Sequence, residues 1–128
     1  MANSQLILCD TNILIEHYRR NLSVIAELKK IGQPNIAISI VTAGELIYGA
    51  LNKRELSQIL KDIAHLNLFH INQQVGDIQL QLMADYSLSH NLTLPDAFIA
   101  ATALHHAIPL YSLNTKDFKY IPKLKLYL

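Results

Sequence analysis

Leu6-Ile7-Leu8-Cys9-Asp10-Thr11-Asn12 ends an apolar run on an acid and two polar residues, just where a helical pattern begins. The same change of character recurs in Ile38-Ser39-Ile40-Val41-Thr42-Ala43-Gly44-Glu45. It recurs again in Leu94-Pro95-Asp96-Ala97-Phe98-Ile99-Ala100-Ala101 and in Leu110-Tyr111-Ser112-Leu113-Asn114-Thr115-Lys116-Asp117-Phe118. In an open α/β sheet, ligands bind just beyond the carboxyl ends of the strands. Acids at strand-to-helix junctions therefore converge on one place. Carboxylates gathered without matching Arg or Lys suit a hard divalent cation.

Working outward from these junctions, strands and helices alternate. Strands are predicted at residues 6–9, 36–41, 68–71, 108–113 and 124–128, the second rich in β-branched residues. Helices are predicted at 13–20, 23–31, 42–51, 53–66, 72–89 and from Thr93 onward, with a turn or short helix at 115–119. Ser23, Asn72 and Thr93 read as helix caps, Gly32 with Pro34 as a stop, and Pro95 as a tolerated first-turn residue. This alternation predicts an α/β fold, a mostly parallel sheet with helices on both faces. Residues 1–128 read as a single domain, with no repeat, linker or low-complexity segment.

Composition narrows the class. Hydrophobic residues make up 51% and charged residues 16%, which excludes a disordered chain. A lone cysteine, Cys9, can form neither an internal disulfide nor a zinc–thiolate cluster, and it suits a reducing compartment. Met1-Ala2-Asn3-Ser4-Gln5 does not read as a signal peptide, and no apolar stretch reads as a membrane span. A cytoplasmic location follows by elimination. The net charge of +1 selects no partner. Arg19, Arg20, Lys116, Lys119, Lys123 and Lys125 would give an acidic pocket basic flanks suited to a polyanion, or else are ordinary surface charge.

Each acid also has a plain structural explanation. Asp10, Thr11 and Asn12 suit a turn or helix cap. Thr42-Ala43-Gly44-Glu45 fits a capping box, in which Glu45 reaches back to the Thr42 N–H. The box leaves Gly44 unexplained, since glycine in a helix costs about 1 kcal/mol relative to alanine; close approach of a ligand would explain it. Asp96 suits the positive end of its helix. Asn114 and Asp117 are common turn residues, and Phe118 reads as an anchor for that turn. Six histidines lack HExxH spacing, and no Walker A, GxGxxG or GxSxG element occurs. Without tryptophan or clustered aromatics, the sequence offers no stacking platform for a single strand.

Read as a set, "DTNILIEHY" from Asp10, "ISIVTAGELIYGA" from Ile38, "LPDAFIAATAL" from Leu94 and "LYSLNTKDF" from Leu110 resemble the PIN domain, most closely the VapC-type toxins of bacterial toxin–antitoxin pairs. The resemblance spans essentially the whole chain. It implies a three-layer α/β/α fold and an endoribonuclease that hydrolyses RNA phosphodiester bonds with Mg²⁺ or Mn²⁺. It also implies an antitoxin protein as partner and a homodimer. By motif position, Asp10, Glu45 and Asp96 look like the family's metal-site acids, with Thr11, Asn12 and Ser112 in support. The fourth motif departs from the pattern: Asn114 stands where many members carry Asp. Either Asn114 supplies a neutral carbonyl ligand, or Asp117 completes the site, or a second metal is weakly held.

Two other classes fit parts of the pattern. A binding or regulatory module would keep the fold while the altered fourth motif abolished cleavage. An aspartyl-phosphate phosphatase would use Asp10 as nucleophile, but a second Asp is wanted two residues on, where this chain has Asn12.

Overall fold

A computed structural model describes residues 5–128. The reading of Met1–Ser4 lies outside the described residues. Four strands, β1 (Ile7–Cys9), β2 (Ile36–Ser39), β3 (Asn67–Phe69) and β4 (Leu110–Tyr111), form one sheet in the order β3-β2-β1-β4. Every pairing is parallel, with Ile7 opposite Ile36, Leu8 opposite both Ala37 and Leu110, and Ile38 opposite Leu68. The central strands are buried along their whole length, as strands covered on both faces must be.

The strand pleat divides the core. Leu8, Ala37 and Leu110 face one apolar cluster, with Val75, Leu82, Ile99 and Phe118. Cys9, Ile36 and Ile38 face the other, with Ile13, Leu14, Val24, Leu28, Leu46 and Ile59. Helices α1 (Thr11–Tyr18), α2 (Leu22–Ile31), α3 (Ile40–Tyr48) and α4 (Lys53–Ala64) cover the second face. Helices α5 (Gln73–His90) and α6 (Leu94–His106) cover the first. The expected three layers are present, and the sheet is wholly parallel.

Chain order creates the functional edge. The chain steps outward through β1, β2 and β3, then returns past β1 to form β4 on its other side. The switch point therefore falls between β1 and β4. Asp10 follows β1 and Ser112 follows β4, so both emerge at the place where open α/β sheets bind ligands.

Several expected boundaries moved for local reasons. The second strand stops at Ser39 rather than residue 41, because the Ser39 hydroxyl caps α3 by accepting the Val41 N–H at 3.0 Å. Thr42 consequently lies inside the helix and cannot head a capping box. Asn21, not Ser23, caps α2, accepting the N–H groups of Ser23 and Val24. The expected strand at 124–128 reduces to one parallel bridge between Leu110 and Leu126. Its edge carries two backbone bonds, from Leu110 N–H to Lys125 and from Tyr127 N–H to Leu110. With only two residues in β4 there is no longer ladder to join. Asn72, Thr93 and Gly32 act as read from sequence, the last at φ 87° where α2 ends.

Candidate active site

Asp10 is buried at the N-cap of α1, and both of its carboxylate oxygens are held. Oδ1 accepts the Thr11 N–H at 2.8 Å, and Oδ2 accepts the Ser112 hydroxyl at 2.8 Å. The Ser112 oxygen in turn accepts from Asn114 N–H at 3.1 Å and from Asn12 Nδ2 at 3.4 Å. A serine has one proton and two lone pairs. Ser112 uses all three, and so ties the first segment to the fourth. Asn12 completes the tie by accepting the Leu113 N–H at 3.3 Å. The side chain of Asn12 is thus spent on holding the fourth loop, which weakens the phosphatase reading further.

Glu45 is reached from the same turn. The Thr11 hydroxyl donates to Glu45 Oε1 at 2.6 Å. The Thr42 hydroxyl lies 2.9 Å from the Thr11 oxygen. Thr11 has already given its proton to Glu45, so Thr42 is the donor in that contact. Thr42 is fully buried. The sequence presented it as a cap for its own helix; its role instead is to fix Thr11. Glu45 therefore does not reach back to its own helix end but across to α1. Gly44 faces open space, and a Cβ added there meets nothing within 4 Å. No neighbour in the chain requires this glycine.

Asp96 stands in the first turn of α6, behind the Thr93 cap. Its pKa is pushed up to about 6, first by burial and then by the charges of Asp10, Asp117 and Glu45. The Asp10 pKa is also raised, chiefly by burial, against the lowering effect of its Ser112 and Thr11 hydrogen bonds; Glu45 and Asp117 push it up further. The two perturbed acids thus respond to the other two. Four carboxylates carried by four separate segments share one electrostatic environment. Asp10 and Asp96 sit at the N-termini of α1 and α6, whose dipoles partly offset the repulsion.

Among the described residues, none of these acids is held in an ion pair. The one ion pair among the described residues joins Arg19 to Glu16. Arg19 and Arg20 lie beyond the eight-residue α1, roughly 12 Å from Asp10 at 1.5 Å per residue. Lys123 and Lys125 line a cavity of about 420 Å³ near Ile108, at the opposite end of β4. That leaves the exposed Lys116 and Lys119 as the basic flank of the acids. Another cavity, of about 310 Å³, lies among Leu14, His17, Leu28 and Ile36 and contains none of the four acids.

Oxygen donors without a cationic partner fit a hard divalent ion by chemistry. Among the described residues, no three His, Cys, Asp or Glu side chains are grouped tightly enough to hold one as they stand. The histidines remain outside this set. His105 Nε2 lies 3.2 Å from Asn72 Nδ2, and His106 stacks on Phe69 at 3.9 Å. Asn114 enters the network through its backbone N–H, while Asp117 contributes charge.

This fold and this acid set define a class. The chain belongs to the PIN domain family, whose sequence model matches residues 7–124. Within that family it is VapC-like. It is 30% identical to Ribonuclease VapC1 of Methanocaldococcus jannaschii over 128 residues, which cover 94% of this chain and 86% of the relative. It is 33% identical, with a TM-score of 0.79, to a chain of a toxin–antitoxin complex from Klebsiella pneumoniae, covering 92% of this chain and 94% of that one. A DNA-bound VapBC from Salmonella typhimurium shares the fold with a TM-score of 0.84 at 23% identity, covering 96% and 97% of the two chains. Nucleases of the PIN family are generally metal-dependent. Among the described residues, no helix is long and apolar enough to cross a membrane.

Proposed function

We propose that this protein is a Mg²⁺- or Mn²⁺-dependent endoribonuclease and the toxin of a type II toxin–antitoxin pair. What supports the reading is the field shared by Asp10, Glu45, Asp96 and Asp117 near the sheet switch point, with no ion pair to any of them among the described residues. Asp10, Asp96 and Asp117 would hold the metal, with the Asn114 side-chain carbonyl as the alternative fourth-segment donor. When bound, a divalent cation supplies the charge that eases deprotonation of an attacking water and offsets charge on the leaving oxygen.

The remaining work falls to side chains. Ser112 and the Thr11 N–H fix both Asp10 oxygens. The Thr11 hydroxyl holds Glu45 by Oε1, leaving Oε2 free to accept a proton from water. Lys116 and Lys119 would bind RNA phosphates. The Klebsiella pneumoniae relative is described as a toxin–antitoxin complex; by that likeness an antitoxin protein restrains this chain, which we further propose acts in the cytoplasm as a homodimer.

The test is cleavage of RNA by antitoxin-free protein in Mg²⁺ or Mn²⁺, compared with EDTA. Metal-dependent cutting that Asp10→Asn abolishes is expected; undiminished cutting in EDTA overturns the mechanism. Growth of bacteria expressing the protein tests the toxin role separately. Equal growth with wild type and Asp10→Asn removes that role. The neutral Asn114 in the fourth segment favours one competing reading, a non-catalytic PIN-like module that binds RNA or protein. RNA binding without metal-dependent cleavage would establish it.

A further inference from the structure

Three aromatic rings that are scattered in the sequence meet beside the carboxylates. Tyr86 and His90 lie one turn apart on α5, and Tyr120 follows the 3-10 turn Thr115–Asp117. Such i,i+4 pairs share a helix face. His90 and Tyr120 stack with centroids 3.9 Å apart and planes 17° from parallel. Tyr86 meets both edge-on, at 5.0 Å from Tyr120 and 5.6 Å from His90. No stacking platform was legible in the sequence, because its parts come from two distant segments.

The Tyr120 hydroxyl is buried and has no hydrogen-bond partner among the described residues. Its pKa is raised by burial and then by Asp96, Asp117 and Tyr86, so it stands within reach of the acid site's field without bonding to it. On the outer side, His90 is exposed, and its Nδ1 is occupied by Ser89 at 2.8 Å. Lys119, exposed and free of any ion pair among the described residues, immediately precedes Tyr120.

We propose that Tyr86, His90 and Tyr120 form a nucleotide subsite that seats one unpaired RNA base against the carboxylates. The base stacks on the open face of His90. Tyr120 and Tyr86 back that ring and hold its plane. Lys119 takes the neighbouring phosphate. Base–aromatic stacking tolerates any base and adds substantially to single-strand affinity. The subsite rests on the ribonuclease reading for its ligand and adds to it the residues that position the strand.

The test uses the full-length protein and a fluorescein-labelled single-stranded RNA. Binding is followed by anisotropy in Ca²⁺, with the RNA checked by gel to be intact. His90→Ala should weaken binding about tenfold, and His90→Phe should restore it by keeping a stacking face. An RNA with one abasic ribose, moved through each position in turn, locates the seated base. One abasic position should weaken wild type as much as His90→Ala does, and should weaken His90→Ala no further. If wild type and His90→Ala respond identically to every abasic position, the subsite is wrong and the rings merely pack α5 onto the C-terminal segment. Cleavage in Mg²⁺ by wild type separates the two readings. Cutting with unaffected variants removes the subsite alone, whereas abasic-sensitive binding without cutting keeps the subsite and removes the nuclease.

Discussion

At the scale of single residues, Asp96 is where opposing effects can be weighed. A carboxylate in a first helical turn gains about 0.3–1 kcal/mol from the macrodipole. Burial and three neighbouring acids nevertheless lift its pKa to about 6 from the usual 3.8, so the unfavourable effects win. A raised acid pKa means that the folded state binds the proton more tightly than the unfolded chain. Below pH 3.8 both states are protonated and there is no penalty; stability is then lost as pH rises from 3.8 to about 6, and stays lost above that. Asp96→Asn should therefore melt higher than wild type at pH 7.5 in EDTA, and the advantage should vanish near pH 3.5. A variant that melts lower at both pH values would make Asp96 a helix-start residue and nothing more. That these four acids come within one another's field was legible in sequence, although only Asp10 directly ends a strand and Asp96 arrives from the α5–α6 connection. The partners were not. Thr42 looked like a cap, yet it steadies Thr11 across 31 positions of chain, and no local pattern encodes such a contact.

At the scale of elements, the helices were readable because their signals are local: an Asn or Thr cap, a glycine stop, an apolar stripe at helical spacing. Strand ends were less so. Ile40 and Val41 have high strand propensity, yet both belong to α3, since the Ser39 cap outweighs the weak preference of two side chains. The C-terminal strand was overread for the opposite reason. Alternating polarity in 124–128 indicates a strand only where a neighbour offers a ladder, and β4 offers two residues. Helix α3 also carries a direct test. Gly44 costs about 1 kcal/mol relative to alanine, and a Cβ there meets nothing in the chain. Gly44→Ala should raise stability by up to about 1 kcal/mol in chemical denaturation. If RNA cleavage survives the change intact, the glycine is incidental. If cleavage falls while stability rises, substrate or a partner needs that space, and the glycine is kept for function at the expense of the helix.

At the scale of the whole molecule, the acids meet only when the chain is folded. Asp10, Glu45, Asp96 and Asp117 come from four segments, and the tie between the first and the last runs through Ser112, 102 positions from Asp10. A cation that needs all of them binds the native state and not the unfolded one. Mg²⁺ should therefore stabilise wild type by about 2.7 kcal/mol at a hundredfold excess over its dissociation constant. The same measurement decides between the two fourth-segment residues. Asp117 adds charge to the field at Asp10 and Asp96, whereas Asn114 enters through its backbone N–H, which any side chain would leave in place. Asp117→Asn should consequently raise the melting temperature in EDTA, by relieving repulsion, and shrink the Mg²⁺-induced shift. Asn114→Ala should change neither by much. Thermal melts of the three proteins at constant ionic strength, with Mg²⁺ and with EDTA, make the comparison without requiring a substrate. Should Asn114→Ala erase the Mg²⁺ shift while Asp117→Asn keeps it, the neutral carbonyl is the ligand and Asp117 only tunes the field around it.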